Sequence, residues 1–187
     1  MRKVVYSMGV SLDGFIAGPG GDIGWSAPSE ELHRFHNQQM REVGVQLCGR
    51  RLYEVMKFWQ TRDEDPSATE VELEFTKIWK QTPKLVFSTT LEAVEGDNTT
   101  LAEGEAVETV AALKQEPGKD LAVGGAGLAA TLIEAGLVDD YRLFVSPVIL
   151  GSGTPLFPPL AERIDLEPVE TRAFGSRVVY LRYRAAQ

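Results

Sequence analysis

The stretch Leu121-Ala122-Val123-Gly124-Gly125-Ala126-Gly127-Leu128 decides the fold class. Three apolar residues run into a glycine cluster, and the cluster runs into Leu128–Ala135, a short helical pattern closed by Gly136. Strand, glycine turn and helix in direct succession form the repeating unit of an α/β sheet. Two readings of the glycines stand side by side. Bare backbone N–H groups at a helix start, with no Cβ in the way, suit a pyrophosphate. A tight strand-to-helix turn also needs glycine for packing alone. The spacing Gly125-x-Gly127-x-x-Ala130 matches the dinucleotide-binding fingerprint, but that fingerprint opens its fold, and here only about sixty residues follow. The acid expected at the end of the next strand is missing, because that strand closes on Phe144-Val145-Ser146.

The same unit recurs on either side. Arg2–Val10 is a first, buried strand, followed by a long irregular loop through Gly18-Pro19-Gly20-Gly21 to Trp25. Ser29 caps a helix with Glu30 and Glu31 in its first turn. The helix runs to about Glu42, with Leu32, Phe35, His36 and Met40 on one face. Val43–Cys48 is a strand that turns at Gly49 into the helix Arg50–Trp59. Thr69-x-x-Glu72 is a capping box opening a helix whose apolar stripe is Val71, Phe75, Ile78 and Trp79. Lys84–Phe87 is a strand leading to Ser88-Thr89-Thr90, and Glu105–Lys114 is a helix. Asp140–Val148 is a strand, Gly151–Pro159 a Gly/Pro loop, and Glu170–Phe174 with Arg177–Tyr183 a hairpin around Gly175-Ser176. This order predicts one α/β domain over 1–187, with a mostly parallel central sheet, helices on both faces and a C-terminal antiparallel hairpin. No internal repeat or biased linker divides the chain.

Composition narrows the function. Apolar residues make up 43% and charged residues 25%, which is ordinary globular usage and argues against disorder. The net charge of −8 argues against nucleic acid or an anionic membrane surface as the main partner, and it leaves room for a local anion site. One cysteine, Cys48, and two histidines, His33 and His36, exclude a disulfide framework and a cysteine-rich zinc site. No apolar run approaches the roughly 18 residues of a membrane span, so a cytoplasmic protein is expected.

Three segments carry anion-binding chemistry, each at the carboxyl end of an expected parallel strand, where α/β sheets bind ligands. They are Gly124–Gly127, then Gly49-Arg50-Arg51, then Ser88-Thr89. Two arginines in a helix's first turn oppose its dipole, and an anion there would offset that cost. Solvated surface arginines are the plainer alternative. The fourth segment, Ser11-Leu12-Asp13-Gly14 through Trp25 and on to Glu31, brings carboxylates and an aromatic near the first strand. Asp13 and Glu31 are the candidate catalytic carboxylates. Glu31 precedes Phe35 by one turn on the apolar-facing side, whereas Glu30 faces Arg34. A carboxylate beside an apolar face can hold a proton; first-turn glutamates also simply suit the helix dipole.

Taken together, the residues resemble a known superfamily. Ser11-Leu12-Asp13-Gly14-x-Ile16-Ala17, Gly24-Trp25, Gly49-Arg50-x-x-Tyr53-Glu54, Phe87-Ser88-Thr89-Thr90-Leu91, Val123-Gly124-Gly125-Ala126, Gly136-Leu137-Val138-Asp139-Asp140 and Pro147-Val148-Ile149-Leu150-Gly151-x-Gly153 follow one another in order. In this the chain is similar to dihydrofolate-reductase-like proteins. Within them it is most similar to the group of the C-terminal reductase domain of the bifunctional riboflavin-biosynthesis deaminase/reductase. The resemblance implies hydride transfer from NADPH, as in 5-amino-6-(5-phosphoribosylamino)uracil reductase. It implies that Gly124, Gly125, Ala126 and Gly127 take the pyrophosphate, with Gly49, Arg50 and Arg51 on its other side. Arg50, Ser88 and Thr89 would meet the 2′-phosphate, and backbone at Gly9, Ile16 and Ala17 the nicotinamide. Trp25 and Phe35 would line the substrate cleft, with Glu31 as the acid, and a homodimer is suggested. Phe15 stands where riboflavin reductases usually carry a basic residue and Gly24 where they carry serine, so the chain departs from their pattern at two positions that bear on a phosphoribosyl substrate. The deaminase motifs are absent. Dihydrofolate reduction and nucleotide binding without turnover are the alternative functions.

Overall fold

The structure is a computed structural model that describes residues 1–186. Its centre is an eight-stranded sheet in the order β5-β4-β3-β6-β1-β7-β10-β9. The strands are β1 (Val4–Ser11), β3 (Val43–Gly49), β4 (Lys84–Phe87), β5 (Thr99–Leu101), β6 (Asp120–Gly124), β7 (Asp140–Ser146), β9 (Leu166–Ala173) and β10 (Val179–Ala185). The first six pair in parallel, and β10 runs antiparallel to both β7 and β9. The expected mostly parallel sheet with a C-terminal antiparallel hairpin is therefore present.

Helices α1 (Glu30–Met40), α2 (Arg50–Met56), α3 (Glu70–Gln81), α4 (Ala106–Gln115) and α5 (Ala126–Glu134) connect the parallel strands. Ser29 caps α1 by accepting the Leu32 N–H, and the Thr69–Glu72 capping box opens α3 as its spacing predicts. Glu30 bonds Arg34, as helical i,i+4 spacing requires. Helix α2 is shorter than expected: it tightens at Lys57 into a 3-10 turn through Gln60. Helix α5 begins two residues earlier than Leu128, so Ala126 and Gly127 are helical and only Gly124-Gly125 form the turn.

Period-two alternation sorts the strands' residues onto two faces. Val4, Tyr6, Val10, Leu47, Leu121 and Val123 pack with Val110, Ala129, Leu132 and Ile133 of α4 and α5. On the opposite face, Cys48 and Val86 pack with Met40, Tyr53, Phe75 and Trp79. A third cluster joins Leu32 of α1 to Phe144, Phe174, Val178 and Tyr180.

A two-stranded sheet has no counterpart in the sequence reading. Strand β2 (Phe15–Ala17) pairs with β8 (Thr154–Pro155) and ties the loop after β1 to the Gly/Pro loop. Gly153 makes this possible: a Cβ there would lie 2.0 Å from the Ala17 carbonyl oxygen, and its φ is 143°.

Candidate active site

The strand order β4-β3-β6-β1 brings the four suspected segments to one sheet edge. Cys48 pairs with Gly124, and Gly49 with Phe87, so the starts of α2 and α5 and the Ser88–Thr90 segment are neighbours. The two helices lean on one another's turns. A Cβ on Gly125 would touch Leu52 of α2 at 3.4 Å, and one on Gly49 would touch Leu128 of α5 at 3.6 Å. Gly49 and Gly125 are the N-cap residues, and neither helix has a side-chain cap bond. The first-turn N–H groups therefore converge without side-chain partners, beside Arg51 on the exposed surface.

Arg50 reaches the Ser88–Thr90 segment. Its Nη1 donates to Thr90 Oγ1 at 2.7 Å and its Nε to Glu54 Oε1 at 2.8 Å. Ser88 Oγ accepts the Thr90 and Leu91 N–H groups, which closes the turn, and Thr89 is exposed beside it. Thr90 and Glu54 fall inside the quoted motifs without a role of their own in the sequence reading; Glu54 is the i+4 partner of Arg50.

The loop after β1 is held down at Asp13. Its carboxylate accepts Ser11 Oγ at 2.7 Å, the Gly151 N–H at 2.7 Å and the Leu150 N–H at 3.1 Å. The Ser11 bond, with the two N–H groups, outweighs desolvation and holds this carboxyl below its ordinary pKa. Asp13 is thus an ionised loop staple. Ile16 packs on the core, and Ala17 pairs with Thr154. The loop's 3-10 turn Gly24–Ser26 crosses the end of β1, where Ser26 stands 4.0 Å from the Cβ position of Gly9. Trp25 is half-buried and donates to the Asp22 carbonyl at 3.1 Å.

Beneath α1, and reaching this edge where Gly9 and Gly124 line it, lies a cavity of about 330 Å³. Its apolar wall includes Met40, Trp59, Phe75 and Phe144, and its polar lining includes Ser7, His33, His36, Gln39, Gln46 and Arg142. Glu42 and Asp120 line its far end. His36 lies over Phe144 with ring centroids 4.3 Å apart, and burial followed by neighbouring His33 pushes its pKa down to about 4. Burial likewise lowers His33. Both imidazoles are neutral at pH 7. Cys48 is fully buried, and desolvation pushes its thiol up to about 12, consistent with packing rather than reactivity.

Glu31 and Phe35 take a different side of α1. Glu31 accepts the Gly175 N–H at 3.0 Å and lies 3.6 Å from Arg172, so it binds the turn of the β9–β10 hairpin. Phe35 packs edge-on against Phe144, Phe174 and Tyr180, and Arg172 covers it. Trp25, Glu31 and Phe35 are not among the described residues that line the cavity.

Residues 2–180 match the family described as the RibD C-terminal domain. The chain is 34% identical over 183 residues to the Uncharacterized protein YyaP of Bacillus subtilis (strain 168), covering 97% of this chain and 94% of that protein. A Shewanella sp. PV-4 protein named for riboflavin biosynthesis superposes with a TM-score of 0.78 at 21% identity, over 100% of both chains. The diaminohydroxyphosphoribosylaminopyrimidine deaminase/5-amino-6-(5-phosphoribosylamino)uracil reductase of Thermotoga maritima gives 0.69 at 16% identity, over 99% of this chain and 57% of that one. Dihydrofolate reductase of Enterococcus faecalis, solved with NADP(H), gives 0.63 at 14% identity, over 99% and 97%. The fold is dihydrofolate-reductase-like.

Proposed function

The chain belongs to the RibD C-terminal domain family, and from that premise we propose that it is an NADPH-dependent reductase of a small heterocyclic or carbonyl substrate. The observation that carries this reading is continuity. Gly9 and Gly124 line the cavity under α1, and they stand at the same sheet edge as the uncapped helix starts, Arg50 and Ser88. The donor set fits a dinucleotide phosphate: backbone N–H groups at Gly124, Gly125, Ala126 and Gly127 on one side, and Gly49, Arg50 and Arg51 on the other. Arg50, Ser88 and Thr89 would hold a 2′-phosphate, and backbone at Gly9, Ile16 and Ala17 the nicotinamide end. When bound, that cofactor supplies the hydride.

The protein's own part is position and dryness. Asp13 fixes the loop over Gly9, and the aromatic wall keeps water from the reacting face. Glu31 stands outside the cavity with its carboxylate engaged by Gly175 and Arg172, so any proton it relays to the substrate would pass through water. Trp25 and Phe35 support the cleft from outside, Phe35 through Phe144. The chain works in this reading as one cytoplasmic reductase domain. The free edge at β9, exposed along its length, is where a second copy would add.

Titration with NADPH and NADH tests the cofactor claim. NADPH should saturate the wild type, and R50A should weaken NADPH by about tenfold or more while moving NADH little. Absence of saturable NADPH binding overturns the reading; equal loss for both cofactors removes the 2′-phosphate role. E31Q should lower kcat by about tenfold or more if the proton passes through Glu31. Methotrexate binding with turnover of dihydrofolate would instead favour dihydrofolate reduction.

A further inference from the structure

Arg142, on the lining of the α1 cavity, belongs to an ion cluster with Asp140 and Arg182. Asp140 is 1% exposed and accepts Arg182 through Nε and Nη2, the latter at 2.8 Å, and Arg142 through Nε at 2.9 Å. Burial alone would raise this carboxyl; the bonds from Arg182 and Arg142 outweigh it and hold it below the ordinary range. Two cations thus share the buried Asp140, and Glu170 stands across the β10–β9 pair from Arg182, so Arg142 is the cation of the group with no second acid beside it. Arg182 spends its fork on Asp140. Arg142 spends only its Nε, and among the described residues neither of its terminal amino groups has an acceptor. Arg142 lines the cavity, and its side chain is only 16% exposed. Those two amino groups are not among the buried unpartnered polar atoms of the described residues, so they stay accessible and available to a ligand.

The surroundings select the missing partner. Arg142 pairs across the sheet with Ser7, which also lines the cavity and whose hydroxyl has no partner among the described residues. His33 and His36 are neutral, so they neither compete for an anion nor repel a cation. Glu42 is exposed and Asp120 half-buried; both stand at the far end, where Asp120 already accepts the Lys3 N–H. The two free amino groups of one guanidinium form an end-on fork that matches a carboxylate. A volume near 330 Å³ is at the small end of ligand sites, and Phe144, Trp59 and Phe75 provide flat walls.

We propose that Arg142, with Ser7 beside it, anchors the carboxylate of a small planar substrate inside the α1 cavity. The anchor lies two residues along β7 from Phe144, about 7 Å from the position where Gly9 pairs with Phe144. The substrate's ring would bridge that distance, carboxylate inward and reacting carbon at Gly9. This orientation rests on the reductase reading; the anchor itself does not.

The test is calorimetric titration of the full chain at pH 7 with benzoate and benzamide, which share shape and differ in charge. Wild type should bind benzoate about tenfold or more tighter than benzamide. R142M should erase that preference while leaving NADPH affinity unchanged, and R142K should restore part of it through charge without the fork. Asp140 keeps Arg182 in both variants, so the fold is retained, and the wild-type ratio decides even without them. Equal affinity for the two probes, a preference that survives R142M, or no binding of either overturns the proposal. Benzoate preference in a protein that does not bind NADPH would uphold the anchor and sink only the reductase reading.

Discussion

Gly125 shows how a single residue serves both fold and site. Its φ of 84° lies where a side chain is strained, and it sits against Leu52 at the start of α5. Gly125→Ala should cost about 1–2 kcal/mol of stability, read as a lowered Tm, and should weaken NADPH by displacing the α5 N–H groups. The glycine requirement was visible in the sequence; whether it served packing or a ligand was not, and the structure shows both helix starts left uncapped. His36 carries a pH signature. Its pKa falls from 6.5 unfolded to about 4 folded, so between those values the unfolded chain binds the extra proton. Stability should therefore drop as pH falls through that window, by at most about 3 kcal/mol. His36→Gln should flatten this part of a chemical-denaturation profile relative to the wild type.

Helix α1 explains why the site was only half legible. Its apolar and aromatic positions appear in sequence as one face, Leu32, Phe35, His36 and Met40. In the fold that arc divides. Glu31 and Phe35 meet the hairpin, whereas His33, His36 and Met40 meet the cavity. A helix advances about 100° per residue, so positions one apart can serve different neighbours, and nothing local says which neighbour lies where. Strands β2 and β8 were invisible for a related reason: three and two residues cannot display a period, and they pair across most of the chain. Gly153→Ala should break this pairing, lower the Tm by more than a surface change would, and loosen the loop that Asp13 secures. Faster amide exchange confined to the 13–17 and 150–155 segments would confirm it.

The assembled molecule leaves β9 as an outer edge with both faces exposed, Leu166 and Val169 among them. Such an edge invites pairing with a second copy. Sedimentation should report a dimer for the wild type, and Val169→Lys should shift it toward monomer while leaving NADPH binding in place. A wild type that sediments as monomer at all concentrations would rule this association out.

Short-range chemistry was enough for much of this protein. Strand and helix periods, the Ser29 and Thr69 caps, and the glycine and hydroxyl turns at Gly49, Ser88 and Gly124 are legible because each depends on residues within a few positions. Parallel connection then puts those turns at one edge with little freedom. The cavity is another matter. Its lining, the attachment of Glu31 to Gly175, and the half-used fork of Arg142 arise from the register of β1, β7 and β10. Those strands are far apart in the chain. Their pairing is set by burial of the whole sheet, so no local window contains it.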